Sequence, residues 1–65
     1  MATIKSVRDH YVAVDEEGNV LGVVAHMRMS AYDYWEATRL CDCKGDDIRN
    51  VHIQYALATA AKWKR

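Results

Sequence analysis

Two apolar runs on either side of a glycine-containing segment constrain the fold of this chain more than any other feature. Residues 11–14 (Tyr-Val-Ala-Val) and 20–24 (Val-Leu-Gly-Val-Val) are rich in β-branched side chains, and Gly18 lies in the segment between them. β-branched residues favour strands, and glycine adopts the positive φ that turns between antiparallel strands need. The pattern predicts a β-hairpin over residues 11–24.

The second strand of this hairpin is expected to be long, because the alternation of side chains continues after residue 24. Ala25, Met27 and Met29 fall on one side of an extended chain, and His26 and Arg28 fall on the other. Upstream, residues 3–8 are expected to add a short strand or a lead-in to the hairpin.

A first helix is expected after Ser30. This serine is a good N-cap, Asp33 follows it by three residues, and residues 31–43 contain neither proline nor glycine. Lys44 and Gly45 then supply a basic last turn and a glycine at the position where helices often end. The pattern predicts a helix over residues 31–43.

A second helix is expected over residues 48–63, capped by Asp46 or Asp47. Its apolar residues occupy two neighbouring stripes, which leaves apolar surface for the first helix or for another chain. The sequence therefore predicts an α+β fold in which an antiparallel β-hairpin or three-stranded sheet packs against two C-terminal α-helices. We expect residues 1–65 to form a single small domain.

The core of such a domain is small. The chain of 65 residues has no phenylalanine, and its apolar content of 51% includes many alanines. Cores of this size rarely supply more than about 3–5 kcal/mol. We therefore expect stabilisation by a partner protein or by a second copy of the chain in a homodimer.

Charge and hydropathy exclude several classes of function. Nine basic and nine acidic side chains give no net charge, which makes nucleic acid the less favoured partner. The N-terminal residues lack the apolar run of a signal peptide, and no segment approaches the length of a membrane span. We expect a cytoplasmic protein without membrane contact.

The cysteines and histidines do not form a recognisable catalytic or metal site. Cys41 and Cys43 are separated by one residue, and a disulfide between them would close a small strained ring, so we expect reduced thiols. A structural zinc site needs four ligands, and a thiolate beside Asp42 at a helix end is disfavoured. The only candidate catalytic dyad pairs either cysteine with His52, and a disfavoured thiolate is a poor nucleophile. We therefore expect no enzymatic activity, and we expect neither a metal nor a cofactor.

The hairpin resembles a segment of one known family. Residues 12–24 are similar to the hairpin of adenosine-ligand-sensing CBS domains. Ala25 and Arg28 stand where that family has a hydroxyl residue and an acid. The resemblance therefore implies no ligand.

A second resemblance gives the alternative function. Residues 25–29, followed by Ser30, a predicted helix, Gly45 and another predicted helix, resemble ribbon-helix-helix repressors in order and spacing. In that family the outward strand side chains contact the major groove of DNA as a dimeric ribbon. The resemblance implies a dimeric DNA-binding transcription regulator that contacts DNA through His26 and Arg28.

The first predicted helix carries the main candidate site. In a helix each side chain points about 100° away from the one before it. The side chains of Tyr32, Tyr34 and Trp35 therefore cannot all face one core stripe. Tyrosine and tryptophan are favoured at protein interfaces, and the interleaved Asp33 and Glu36 suit a basic target. These five residues are the predicted partner-binding site. They favour a small non-enzymatic protein-binding regulator or inhibitor of a larger complex, of the accessory type found in phages and mobile elements.

Overall fold

A computed structural model describes residues 2–65, which form five strands followed by one helix. The elements are β1 (Thr3–Val7), β2 (His10–Val14), β3 (Val20–Arg28), β4 (Asp33–Arg39), β5 (Ile48–Asn50) and α1 (Ile53–Ala61). The strands form one antiparallel sheet in the order β1-β2-β3-β4-β5, so every strand pairs with its neighbour in sequence. The predicted α+β class is confirmed, but the sheet has five strands and one helix covers it.

The hairpin predicted over residues 11–24 is confirmed as β2 and β3. Asp15 holds the loop between them, because its carboxylate accepts hydrogen bonds from the backbone N–H groups of Glu17 (2.9 Å) and Asn19 (2.8 Å) and from the Asn19 side-chain amide (3.1 Å). These bonds from Asn19 lower the pKa of the Asp15 carboxyl. Gly18 has a φ of 86°, as this turn requires.

The strands on either side of the hairpin also follow the sequence pattern. The long second strand is confirmed, since β3 continues to Arg28, and the short strand expected over residues 3–8 is β1. Val7 pairs with His10, so only Arg8 and Asp9 connect β1 to β2. Arg8 adopts a φ of 56°, a left-handed conformation that tight two-residue turns demand and that is costly for a side chain with a Cβ atom.

The helix predicted over residues 31–43 is wrong, because this segment contains β4. Ser30 lies in the turn of a hairpin, where the Met29 N–H donates to the Tyr32 carbonyl oxygen (3.0 Å). β4 then pairs with β3 at seven positions, from Arg28 opposite Asp33 to Gly22 opposite Arg39. Aromatic and threonine side chains fit a pleated sheet well, so the pairing of β4 with β3 outweighs the local capping pattern.

The helix predicted over residues 48–63 is correct only in its second half. Ile48–Asn50 form β5, and α1 spans Ile53–Ala61. The predicted capping residue Asp47 does not cap α1; its Oδ1 accepts a hydrogen bond from the backbone N–H of Arg39 (3.1 Å). Within residues 2–65, no helix has the length and apolar character needed to cross a membrane.

The sheet has one covered face and one open face. Directly paired residues share a face, so the register places Ala13, Val24 and Ala37 on the side where α1 packs through Ala56 and Ala60. The small alanine side chains let the helix approach the sheet closely. The open face carries the side chains of Lys5, Val7, His10, Val12, Val23, Ala25, Met27, Tyr34, Glu36, Thr38 and Arg49.

Trp63 closes the core beyond the end of α1. It is the largest fully buried side chain, and its ring lies against Gly22 of β3 and Gly45 of the loop between β4 and β5. Its Nε1–H donates to the Asp46 carbonyl oxygen (2.8 Å). Two of the three glycines therefore make room for this one tryptophan.

Candidate functional site

The hairpin of β3 and β4 extends past the strands on either side of it. On one side the pairing of β3 with β2 starts at Val24, and on the other side β5 ends at Asn50, opposite Trp35. The pairing of β3 with β4 continues to Arg28 and Asp33. We call residues 26–35 the ribbon.

The residues predicted to bind a partner protein and those predicted to contact DNA all lie in or next to the ribbon. His26 lies opposite Trp35, and Arg28 lies opposite Asp33. Because the segment is a strand, its side chains alternate between the two faces of the sheet. Asp33 and Trp35 therefore belong to the covered face, whereas Tyr34 and Glu36 belong to the open face. The predicted five-residue partner site does not form one continuous surface.

An aromatic cluster occupies the covered side of the ribbon. The rings of His26 and Trp35 stack with their centres 4.9 Å apart, and Tyr11 contributes a third ring 6.2 Å from Trp35. His26 Nε2 lies 3.7 Å from an oxygen of Asp33. His26 and Trp35 are therefore held by each other and by the sheet, and both are only partly accessible.

On the open side of the sheet, Glu36 and Tyr34 are held by Arg49. The Arg49 Nε–H donates to Glu36 Oε2 (2.8 Å), and the Thr38 hydroxyl donates to Glu36 Oε1 (3.1 Å). The Arg49 guanidinium carbon lies 5.9 Å from the centre of the Tyr34 ring, which is 9% exposed. Glu36 therefore has a basic neighbour, Arg49, within this chain. In the same way, Asp33 lies beside His26.

The accessible apolar surface of the ribbon lies at its tip. Met29 is 50% exposed and Tyr32 is 60% exposed, and Val51 next to β5 is also 60% exposed. A shallow cleft lined by Tyr32, Tyr34, Arg49, Asn50 and Val51 joins the turn of the ribbon to the end of β5. We call Met29, Tyr32, Arg49 and Val51 the ribbon-end surface.

Only Tyr32 of the ribbon-end surface is among the residues predicted from the sequence. Val51 falls on an apolar stripe of the second predicted helix, but in the structure it follows β5 and is exposed. Arg49 also falls within that predicted helix. No local signal in the sequence places these two residues beside Tyr32, because their proximity arises from the pairing of β4 with β5.

The fold implied by the resemblance to ribbon-helix-helix repressors is wrong for residues 2–65. The helix that should follow Ser30 is β4, and β3 is flanked by β2 and β4 within the same sheet. An intermolecular ribbon needs a free strand edge, and most of β3 has none. His26 stacks on Trp35, and Arg28 is exposed at the ribbon end.

The two cysteine side chains, expected to be free thiols, are placed together. The Cα atoms of Cys41 and Cys43 lie 5.2 Å apart, which is within the usual range for a disulfide. In an extended strand, residues two apart are separated by about 6.8 Å, so the bend at residues 41–42 brings the side chains together. The two sulfur atoms lie 3.6 and 4.0 Å from the Leu21 carbonyl oxygen.

The candidate catalytic dyad is not assembled. The His52 ring packs near Tyr55 with ring centres 6.1 Å apart, and the His52 backbone N–H donates to the Asn50 side chain (2.8 Å). Both cysteine sulfurs lie beside Leu21 instead. Among residues 2–65, no group of three or more histidine, cysteine or acidic side chains is arranged to hold a metal ion.

Neither a protein-family model, nor a curated protein, nor a solved structure matches this chain. The candidate site therefore depends on the geometry described above.

Proposed function

We propose that the protein is a small non-enzymatic protein-binding domain, a regulator or inhibitor of a larger complex, that contacts its partner through the ribbon-end surface. The observation that carries this proposal is one cleft lined by Arg49 and by the exposed side chains of Tyr32 and Val51, with Met29 exposed in the adjoining turn. Tyrosine, methionine and arginine are enriched at protein interfaces. Large exposed apolar side chains grouped in one place commonly mark such interfaces.

The ribbon presents this surface with little conformational freedom. Its two strands are paired up to Arg28 and Asp33, and the Tyr32 ring lies 5.7 Å from the Tyr34 ring. A side chain that is already held in place loses less entropy on binding. Tyr32 therefore has the properties of an interface anchor, whose truncation commonly costs about 2 kcal/mol or more, or about 30-fold in affinity.

The proposal is tested by affinity capture from an extract of the source cells, followed by measurement of the dissociation constant for the captured protein. We expect Tyr32→Ala and Val51→Ala to weaken binding by about 10- to 30-fold. Leu40→Ala is the matched control, because Leu40 is 65% exposed at the opposite end of β4 and should leave binding unchanged. Circular dichroism checks that each variant is folded.

Two results would contradict the proposal. If Tyr32→Ala and Val51→Ala change the affinity no more than the Leu40→Ala control does, the ribbon-end surface has no special role in binding. A captured complex that disappears after nuclease treatment, and weakens steeply as the salt concentration rises, would indicate nucleic acid as the partner instead.

A further inference from the structure

The open face of the sheet has an apolar centre that no element within residues 2–65 covers. Val12, Val23, Ala25 and Met27 lie next to one another on β2 and β3, and each is only partly buried. Packing of α1 protects the other face alone. A second layer on the open face would remove these side chains from water, which is the usual arrangement for a sheet with apolar residues on both sides.

The edges of the sheet are protected against pairing with another chain. Lys5 is the central residue of β1, and Arg49 is the central residue of β5. Antiparallel pairing of two β1 strands about Lys5 would set the two lysines opposite each other, and the same holds for two β5 strands about Arg49. Positive charges in the middle of short edge strands disfavour edge-to-edge association, which leaves the open face as the surface for a second layer.

We propose that two copies of this chain pack open face against open face, about a twofold axis parallel to β3. This axis sets β3 of one copy over β3 of the other and β2 over the partner's β4. Val23 and Ala25 then meet the same residues of the second copy. His10 on β2 comes to lie across from Glu36 on the partner's β4, so a carboxylate faces a nitrogen donor.

Charge and size are both compatible with this arrangement. The chain has no net charge, so two copies do not repel each other at long range. The five strands together contain 29 residues, and at a rise of about 3.4 Å per residue and a strand spacing of about 4.8 Å they give roughly 450–500 Å² of projected area. Stable interfaces use about 800 Å² of accessible surface per partner. The dimer is therefore expected to be of modest affinity, in the micromolar range.

The first measurement is sedimentation equilibrium of the unmodified chain from about 1 μM to about 1 mM. We expect a reversible monomer–dimer equilibrium with a dissociation constant in the micromolar range. A chain that remains monomeric at about 1 mM would overturn the proposal. Larger open-ended assemblies would also overturn it, because a closed twofold contact stops at two copies.

The second measurement uses the self-facing position Val23. Val23→Glu and Val23→Lys should each weaken the dimer by more than about 10-fold, because like charges then meet on the axis. A mixture of the two variants should form a heterodimer, since opposite charges meet at the same place. Monomeric single variants whose mixture stays monomeric would overturn the twofold arrangement.

One further variant establishes that the contact belongs to the open face. Tyr55→Glu adds the same charge at an exposed position of α1, which packs against the other face of the sheet, and should leave the dimer intact. Circular dichroism establishes that the Val23 variants are folded, and the measurement on the unmodified chain decides the proposal if they are not.

Discussion

The contact between Trp63 and Gly22 makes Gly22→Ala a sensitive test of how the core closes. A Cβ atom added at Gly22 would lie 2.5 Å from the Thr38 carbonyl oxygen and 2.9 Å from Cη2 of Trp63, with Cζ3 of the same ring closer still. Neither group can yield at low cost, because one belongs to the backbone of the neighbouring strand β4 and the other is a fully buried ring. The tryptophan ring must therefore move out of its position, and the backbone of β3 or β4 must shift to relieve the contact with Thr38.

The expected loss of stability follows from what the ring buries. A tryptophan side chain buries about 200–250 Å², worth roughly 5–6 kcal/mol at about 25 cal/mol per Å², so this figure is the upper limit for complete displacement. Overpacking that a core absorbs by small shifts costs about 1–3 kcal/mol. The added methyl group also stiffens the unfolded chain, which returns about 0.5–1 kcal/mol. We expect Gly22→Ala to lower the free energy of unfolding by about 2–3 kcal/mol, which is most of the stability of a core this small.

Urea denaturation followed by far-ultraviolet circular dichroism measures this change. Gly18→Ala is the control: it places alanine at a φ of 86° with no atom within 4 Å of the new methyl group, and should cost only about 1 kcal/mol. In a Trp63→Leu background the cost of Gly22→Ala should fall but not disappear, because the contact with the Thr38 carbonyl oxygen remains. A Gly22→Ala protein within about 0.5 kcal/mol of the unmodified chain would refute the reasoning.

Three further outcomes are expected. Arg8→Asn should raise the melting temperature by about 4 °C, because asparagine tolerates the left-handed turn conformation better than arginine; a lower value in a thermal scan would contradict this. Hydrogen bonds from Asn19 lower the pKa of Asp15 below its ordinary value of 3.8, so their contribution to stability is fully present above pH 3.8 and is lost as the pH falls through the lower folded value. Urea denaturation at acidic pH should therefore show a weaker pH dependence for Asp15→Asn. Reduction of a Cys41–Cys43 disulfide should lower the free energy of unfolding of the unmodified chain by about 1–2 kcal/mol, and should not affect a Cys41→Ala, Cys43→Ala double variant. Alkylation of both thiols without reductant would contradict the disulfide.

Local patterns in the sequence are sufficient where β-branched residues mark both strands and a glycine marks the turn between them. The hairpin of β2 and β3 is predictable because β-branched residues and Gly18 act within fourteen residues. Residues 31–43 have the local pattern of a helix because Ser30 and Asp33 resemble a helix start, and no breaker follows. What decides the structure there is the pairing of β4 with β3 and the packing of Ala37 under α1, neither of which a local pattern contains.

The candidate site is predictable only in part for a related reason. The cluster of aromatic residues correctly draws attention to the segment that includes Tyr32. A helical geometry, however, distributes side chains around an axis, whereas β4 sends Tyr34 and Trp35 to opposite faces. Arg49 and Val51 join Tyr32 through the pairing of β4 with β5, so their part in the surface can be found only once the sheet is known.

The order of the strands has a consequence for how the protein opens. Each strand pairs with its neighbour in sequence, so the sheet assembles by closing short loops, which favours rapid folding. The residues beyond Trp63 are attached separately, through paired backbone hydrogen bonds between Lys44 and Lys64. Release of this segment breaks no strand pairing within the sheet. The amides of Lys44 and Lys64 should therefore exchange with solvent through a partial opening, while those shared by β3 and β4 exchange only when the whole domain unfolds.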